Sequence, residues 1–229
     1  MNTKKIISAT SLVAIFFTAT IALHASQIVL TPASVIGGSN TFTGAWNDPQ
    51  PGNFNATHVA DDQAGPVVDV FGVNYWLGPQ GSAQAYFVLD LGAVYNLQSV
   101  DLFNTHNNGA FDRATGDFQI YVSNSITSTP SNGMDLVGAS LALTGTLIIT
   151  GDPIPAQSFN FGPGISAQYL RFNAVSIAAD TRGAQGVGLN EIRVFNAFST
   201  PETGGSVALL GIAAGIIGLA SRIWKPCGS

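Results

Sequence analysis

The stretch Tyr86-Phe87-Val88-Leu89-Asp90-Leu91-Gly92-Ala93-Val94-Tyr95-Asn96-Leu97-Gln98-Ser99-Val100-Asp101-Leu102-Phe103-Asn104-Thr105 decides the fold. Its two apolar runs, 86–91 and 100–103, are rich in β-branched and aromatic residues, are too short for helices and lack a 3.6-residue spacing, so each reads as a buried strand. Gly92 and Asn96 punctuate the segment between them and predict a turn there. Asp90 stands at the end of the first run, where a carboxylate can close a turn. Alone, the stretch predicts the core of a β-sandwich.

Working outward, residues 118–123 alternate cleanly, with Phe118, Ile120 and Val122 on one face and Gln119, Tyr121 and Ser123 on the other, which is the pattern of a half-buried strand. Further strands are predicted over 141–150, 156–161, 168–176 and 188–196. In the last, Ile192 and Val194 face one side, and Glu191, Arg193 and Phe195 the other. Upstream, 28–30 is a short apolar run, 34–52 reads as loop from its Gly, Ser, Asn and Pro content, 67–71 reads as a strand, and Trp76 reads as a core plug. Residues 124–135 read as polar loop. The Gly162, Gly164 and Ala167 spacing imitates a nucleotide-binding fingerprint, but a strand follows it and no helix does. Seven or eight short strands without an amphipathic helix predict an all-β, antiparallel sandwich or jelly roll.

Both ends read as processing segments. Lys4 and Lys5 precede an apolar stretch over 6–23, with Ala25 at a cleavage point, which predicts a signal peptide over 1–25; a membrane anchor is the alternative. At the other end, Pro201-Glu202-Thr203-Gly204 opens onto the apolar segment 207–220, followed by Arg222, Trp224 and Lys225. As a helix, 207–220 is about 21 Å long, and about 27 Å if extended to Trp224 with Arg222 snorkelling, against a hydrocarbon core of about 30 Å. It can just span. A core helix is the alternative, but the segment has no polar stripe to face water.

Between the ends, residues 26–199 hold twelve acids against four arginines and no lysine, a net charge of −8. That balance disfavours nucleic acid and anionic membrane surfaces as partners. The one cysteine, Cys227, lies in the tail, so no disulfide or thiol chemistry belongs to the folded region. His58 and His106 are its two histidines. With no H-E-x-x-H, G-x-S-x-G or P-loop pattern, a non-enzymatic protein is predicted, although a carboxylate pair for glycoside hydrolysis stays open.

Two loops concentrate chemistry. Asp61-Asp62, before Gly65-Pro66, is either an acidic surface turn or a calcium loop, since a hard cation takes carboxylates together with backbone carbonyls. The loop 106–117 gathers His106, Asn108, Phe111, Asp112 and Arg113. It is either an ordered loop with Asp112 and Arg113 paired, or a sugar site, in which an aromatic face meets the apolar side of a ring and directional groups meet its hydroxyls.

Six pieces in order resemble the discoidin, or coagulation-factor type C, domains and the related galactose-binding-like carbohydrate-binding modules: Val59-Ala60-Asp61, Asn74-Tyr75-Trp76, Phe87-Val88-Leu89-Asp90-Leu91-Gly92, Phe118-Gln119-Ile120-Tyr121-Val122-Ser123, Ala167-Gln168-Tyr169-Leu170-Arg171-Phe172 and Leu189-Asn190-Glu191-Ile192-Arg193-Val194-Phe195. The resemblance implies a jelly-roll β-sandwich over 26–198, with Asp90 a structural carboxylate. It also implies a structural calcium ion between Asp61 and Glu191, with Asn74 a lesser ligand, and a ligand site on rim loops, here His106, Asn108, Phe111 and Arg113. The family has glycine where Asp62 stands. The end of the chain, 199–229, resembles the PEP-CTERM sorting tails, which implies an exosortase-type partner acting on Pro201, Glu202, Thr203 and Gly204 and a transient membrane anchor. Thr200 stands where a sortase motif has leucine, and sortase is the alternative. Together these imply an exported, surface-sorted module that binds a glycan or extracellular polysaccharide, with a structural matrix protein as the alternative.

Overall fold

The computed structural model describes residues 25–48, 53–62, 75–106, 111–151, 154–178, 183 and 185–197. The signal segment up to residue 24, the expected strand at 67–71 and the tail from 198 onward lie outside them. Among the described residues no helix is long and apolar enough to cross a membrane.

The described residues form twelve strands: β1 Ser26–Gln27, β2 Val35–Gly38, β3 Trp76–Leu77, β4 Ala85–Phe103, β5 Asp117–Ser123, β6 Ile126–Thr129, β7 Gly133–Leu136, β8 Ser140–Thr146, β9 Gln157–Asn160, β10 Ser166–Ala174, β11 Gly188–Leu189 and β12 Glu191–Asn196. Their pairings are antiparallel. One layer has the order β6-β7-β2-β4-β10-β5-β8, and the second is built from β1, β12, β4 and β9. The short pair β3 and β11 stands apart from both. This is the expected β-sandwich, with Pro32–Ser34 and Ala56–Ala60 as short 3-10 helices.

The turn expected between the two apolar runs is instead a bulge inside one strand. As far as Asn96, β4 pairs with β10, and from Leu97 it pairs with β12. Asp90 and Tyr95 stand opposite Tyr169 and Ala167, so residues 91–94 bow out against the single residue Gln168. Gly92 takes φ +85°, a conformation that disfavours a side chain. Its N–H donates to Asp90 Oδ1 at 2.8 Å, and Gln168 Nε2 donates to the same oxygen at 3.2 Å. Asp90 is thus a structural carboxylate. A lone glycine in an apolar run marks a bulge as readily as a turn. The two halves face different partner strands rather than each other.

Two expected loops also contain strands. Residues 126–136 form the hairpin β6–β7, whose side chains are half-buried or exposed and so lack apolar periodicity. Within 34–52, β2 is disguised by Gly37 and Gly38. A Cβ at Gly37 would lie 2.0 Å from the Met134 carbonyl oxygen, so the glycine is there to admit the neighbouring backbone.

The core joins both layers. Phe87 and Phe172 stack at 5.1 Å, Phe172 and Phe118 at 5.6 Å, and Trp76 meets Phe87 edge-on at 5.1 Å. Leu97, Val100, Leu102, Ile192 and Val194 complete the same cluster from the second layer. Trp76 is the core plug the sequence predicts, fully buried. Replacing Phe172 by Ala is expected to cost about 3–5 kcal/mol through the cavity it leaves. Gly92→Ala is expected to cost about 1–2 kcal/mol through backbone strain alone. Urea unfolding of each variant measures both losses.

Candidate functional site

The second half of β4 ends at Phe103 and delivers the chain to the rim. Asn104, buried at 1% exposure, is the clamp there. Its Nδ2 donates to the carbonyls of Thr115 at 2.8 Å and Ile148 at 3.2 Å. Its Oδ1 accepts from the N–H groups of Thr105 and Thr115, both at 3.1 Å. One amide thereby spends its two donors and two acceptor positions on tying the loop after β4 to the strand leading into β5. Thr115 Oγ1 adds a bond to the Gly188 carbonyl at 2.8 Å, which ties in β11.

On this clamped base His106 and Phe111 come together. The Phe111 N–H donates to the His106 carbonyl at 3.0 Å, and their rings lie 5.8 Å apart with a 32° tilt. Phe111 holds φ +55°, which sets the direction in which its side chain leaves the backbone at the cost of local strain. Phe111 is half-buried, whereas His106 is only 2% exposed. Asn108 lies outside the described residues.

Arg113 reaches a second aromatic group. Its guanidinium carbon sits 5.2 Å from the Phe42 ring centroid and 4.9 Å from that of Phe54. Nη1 donates to the Tyr75 hydroxyl at 2.7 Å, and Nε and Nη2 donate to Gln185 Oε1 at 3.1 and 2.9 Å. Asp112 lies 3.9 Å from Nε, the pairing the ordered-loop alternative expects. Phe54 packs edge-on against both Phe42 and Tyr75. Arg113 therefore cross-ties four segments of the rim, a cation held against desolvated aromatic faces. Phe42, Phe54, Tyr75, Gln185 and Asn104 were not legible as site residues. Each sits in a different segment, and only the fold gathers them.

The residues expected around calcium occupy the end of the helix Ala56–Ala60 and the start of β12. Asp61 follows that helix, and its Oδ2 accepts from His58 Nδ1 at 3.0 Å. His58 Nε2 lies 3.1 Å from the Asn53 carbonyl. Asp62 takes φ +59°, the left-handed backbone that glycine would supply. Arg193 links the two acidic segments: Nε donates to Glu191 Oε1 and Nη2 to Asp62 Oδ1, each at 3.1 Å. Glu191 is buried, at 3% exposure. Asn74 lies outside the described residues. Among those described, no group of three or more His, Cys, Asp and Glu side chains is placed to hold a metal.

Asn104→Ala is expected to lower stability by about 1–3 kcal/mol, because it strands buried backbone partners, and to speed amide exchange at Thr105 and Thr115, read by hydrogen-exchange mass spectrometry.

No family model and no curated protein sequence matches the chain. Solved structures do. A fragment named as a chitobiase, from Bacteroides thetaiotaomicron, aligns at 18% identity over 80% of this chain and 98% of its own, with a TM-score of 0.55. A SusE-like protein aligns at 12% identity over 76% of this chain and 68% of its own, with a TM-score of 0.53. A family 32 carbohydrate-binding module of C. perfringens, solved in complex with galactose, aligns at 12% identity over 76% of this chain and 100% of its own, with a TM-score of 0.49. At these identities the likeness concerns the fold.

Proposed function

We infer that this chain is an exported, non-catalytic module that binds carbohydrate of a cell-surface or extracellular polysaccharide at its rim. The observation that carries this is the His106–Phe111 pair, an aromatic ring carried by a left-handed backbone position, beside a loop base clamped by Asn104. A sugar offers a patch of C–H groups and a ring of hydroxyls, so a site for it needs a rigid aromatic surface beside directional polar groups. Rigidity matters because weak contacts cannot offset the cost of ordering a loop on binding. Phe111 is the platform, His106 and Arg113 hold and flank it, and Asn108 is assigned to the same site. The net charge of −8 over 26–199 favours a neutral glycan.

Titration calorimetry of the full chain against neutral mono- and oligosaccharides tests this. Binding is expected, with about a tenfold loss in Phe111→Ala, the equivalent of about 1.4 kcal/mol, at an unchanged melting temperature. Absence of binding by the native chain overturns the reading and leaves a matrix building block.

The same module is proposed to hold one structural calcium ion through Asp61, Glu191 and backbone carbonyls of 53–62, with Asn74 a further candidate. What supports this is a buried carboxylate at Glu191 and an acidic turn whose backbone already takes the left-handed form. His58 and Arg193 compete with the ion for these carboxylates. Calcium at a hundredfold over its dissociation constant should raise stability by about 2.7 kcal/mol. A melting temperature that is the same in calcium and in chelator removes the ion from the proposal.

The tail completes the reading. Pro201, Glu202, Thr203 and Gly204 are proposed as the motif for an exosortase-type enzyme, with 207–220 holding the chain in the membrane until it is processed. Pro201→Ala should then accumulate a longer precursor in the membrane fraction, visible by immunoblot.

A further inference from the structure

The larger sheet has an outer face that the rim does not use. Because Phe87, Phe118 and Phe172 turn into the core, their strand neighbours turn outward. The register sets Tyr86 of β4, Asn173 of β10 and Gln119 of β5 side by side in one row, and Val88, Arg171 and Tyr121 in the next. A groove of about 420 Å³ lies there, lined by Ser39, Gln84, Tyr86, Gln119, Arg171 and Asn173 among others. That volume is within the range of about 300–1,000 Å³ usual for ligand pockets.

The groove is held in shape by bonds among its own side chains. Arg171 lies 4.8 Å from the Tyr86 ring centroid and 5.6 Å from that of Tyr121, bridging two strands. Its Nη1 donates to both carboxylate oxygens of Asp135 on β7, each at 3.1 Å, and its Nε to Asn173 Oδ1 at 2.8 Å. Asn132, in the β6–β7 turn, donates to the Tyr86 hydroxyl at 3.2 Å, and the Tyr121 hydroxyl donates to Gln119 Oε1 at 3.0 Å. One acceptor position on the amide oxygen of each of Asn173 and Gln119 is thus used internally. Their NH2 groups make no hydrogen bond among the described residues, and neither does the Gln84 side chain.

A fixed tyrosine beside amide donors calls for a ligand with a flat apolar patch and many oxygen acceptors. Asp135 neutralises Arg171, and the surrounding charge of −8 repels polyanions, so those acceptors are uncharged. The geometry points to a second carbohydrate site: this groove takes a segment of neutral polysaccharide, its ring against Tyr86 and its hydroxyl or ether oxygens accepting from Asn173 Nδ2 and Gln119 Nε2. The site shares no lining residue with the loop 106–113. A chain with both sites would hold polysaccharide at two separate points, which multiplies retention without strengthening either contact.

The test is nuclear magnetic resonance of the isotope-labelled full chain in detergent, titrated with neutral glucan and galactomannan oligosaccharides. The side-chain NH2 resonances of Asn173 and Gln119 are expected to shift saturably. Asn173→Ala and Gln119→Ala should each weaken that binding about tenfold, as loss of a hydrogen bond at a ligand does, with the core resonances of the folded chain retained. If either variant fails to fold, the native chain's resonances decide. Resonances that stay fixed with neutral oligosaccharides, or that move only with a polyanion such as alginate, overturn the site. The His106 and Phe111 ring resonances report the rim in the same titration, so failure of one site is distinguishable from failure of the other.

Discussion

The structure depends on β4 belonging to both layers of the sandwich. Its first half pairs with β2 and β10, and its second half with β12 and β9. A strand that changes sheets must also shift the phase of its inward side chains. Phe87, Leu89 and Leu91 enter the core cluster from odd positions, whereas Val100 and Leu102 enter it from even ones. The bulge at 91–94 makes room for the crossing, and the path beyond Leu97 absorbs the shift. Because the strand is continuous, the rim at its far end is anchored to the same backbone as the outer face that bears Tyr86.

A second regularity concerns the arginines. In a folded region without lysine, each of the three described arginines lies over an aromatic ring and beside a carboxylate. Arg113 has Phe42, Phe54 and Asp112; Arg171 has Tyr86, Tyr121 and Asp135; Arg193 has Phe103, Glu191 and Asp62. A planar guanidinium can stack and hydrogen-bond at once, which an ammonium cannot. These cations act as rivets between strands and loops, and their charge is largely spent inside the molecule. Among the described residues that leaves little positive charge free at the surface.

Strand identity was legible where one face is buried and the other wet, as over Phe118 to Ser123, because the alternation is a direct imprint of the pleat. It failed where burial was absent or the backbone was the reason for the residue. The hairpin β6–β7 looked like loop because it buries little, and Gly37 looked like loop because its function is to have no side chain. The candidate rim was half legible. His106, Phe111 and Arg113 lie within eight residues and could be read together. Asn104 and Gln185 carry no local mark, since an amide's use depends on which backbone groups the fold brings to it. Asp61 and Asp62 could be read as an acidic turn, and the left-handed backbone of Asp62 shows why the pattern this chain resembles has glycine there.

The shared strand has a kinetic corollary. Neither layer can close without β4, and β4 pairs with segments as distant in sequence as β2 and β12. No half of the sandwich is therefore a folding unit in its own right, and loop-closure entropy must be met across most of the region before any sheet is complete. Such a topology folds on the slow scale of milliseconds to seconds. For the export proposed above, slow closure is an advantage wherever the polypeptide is threaded before it folds.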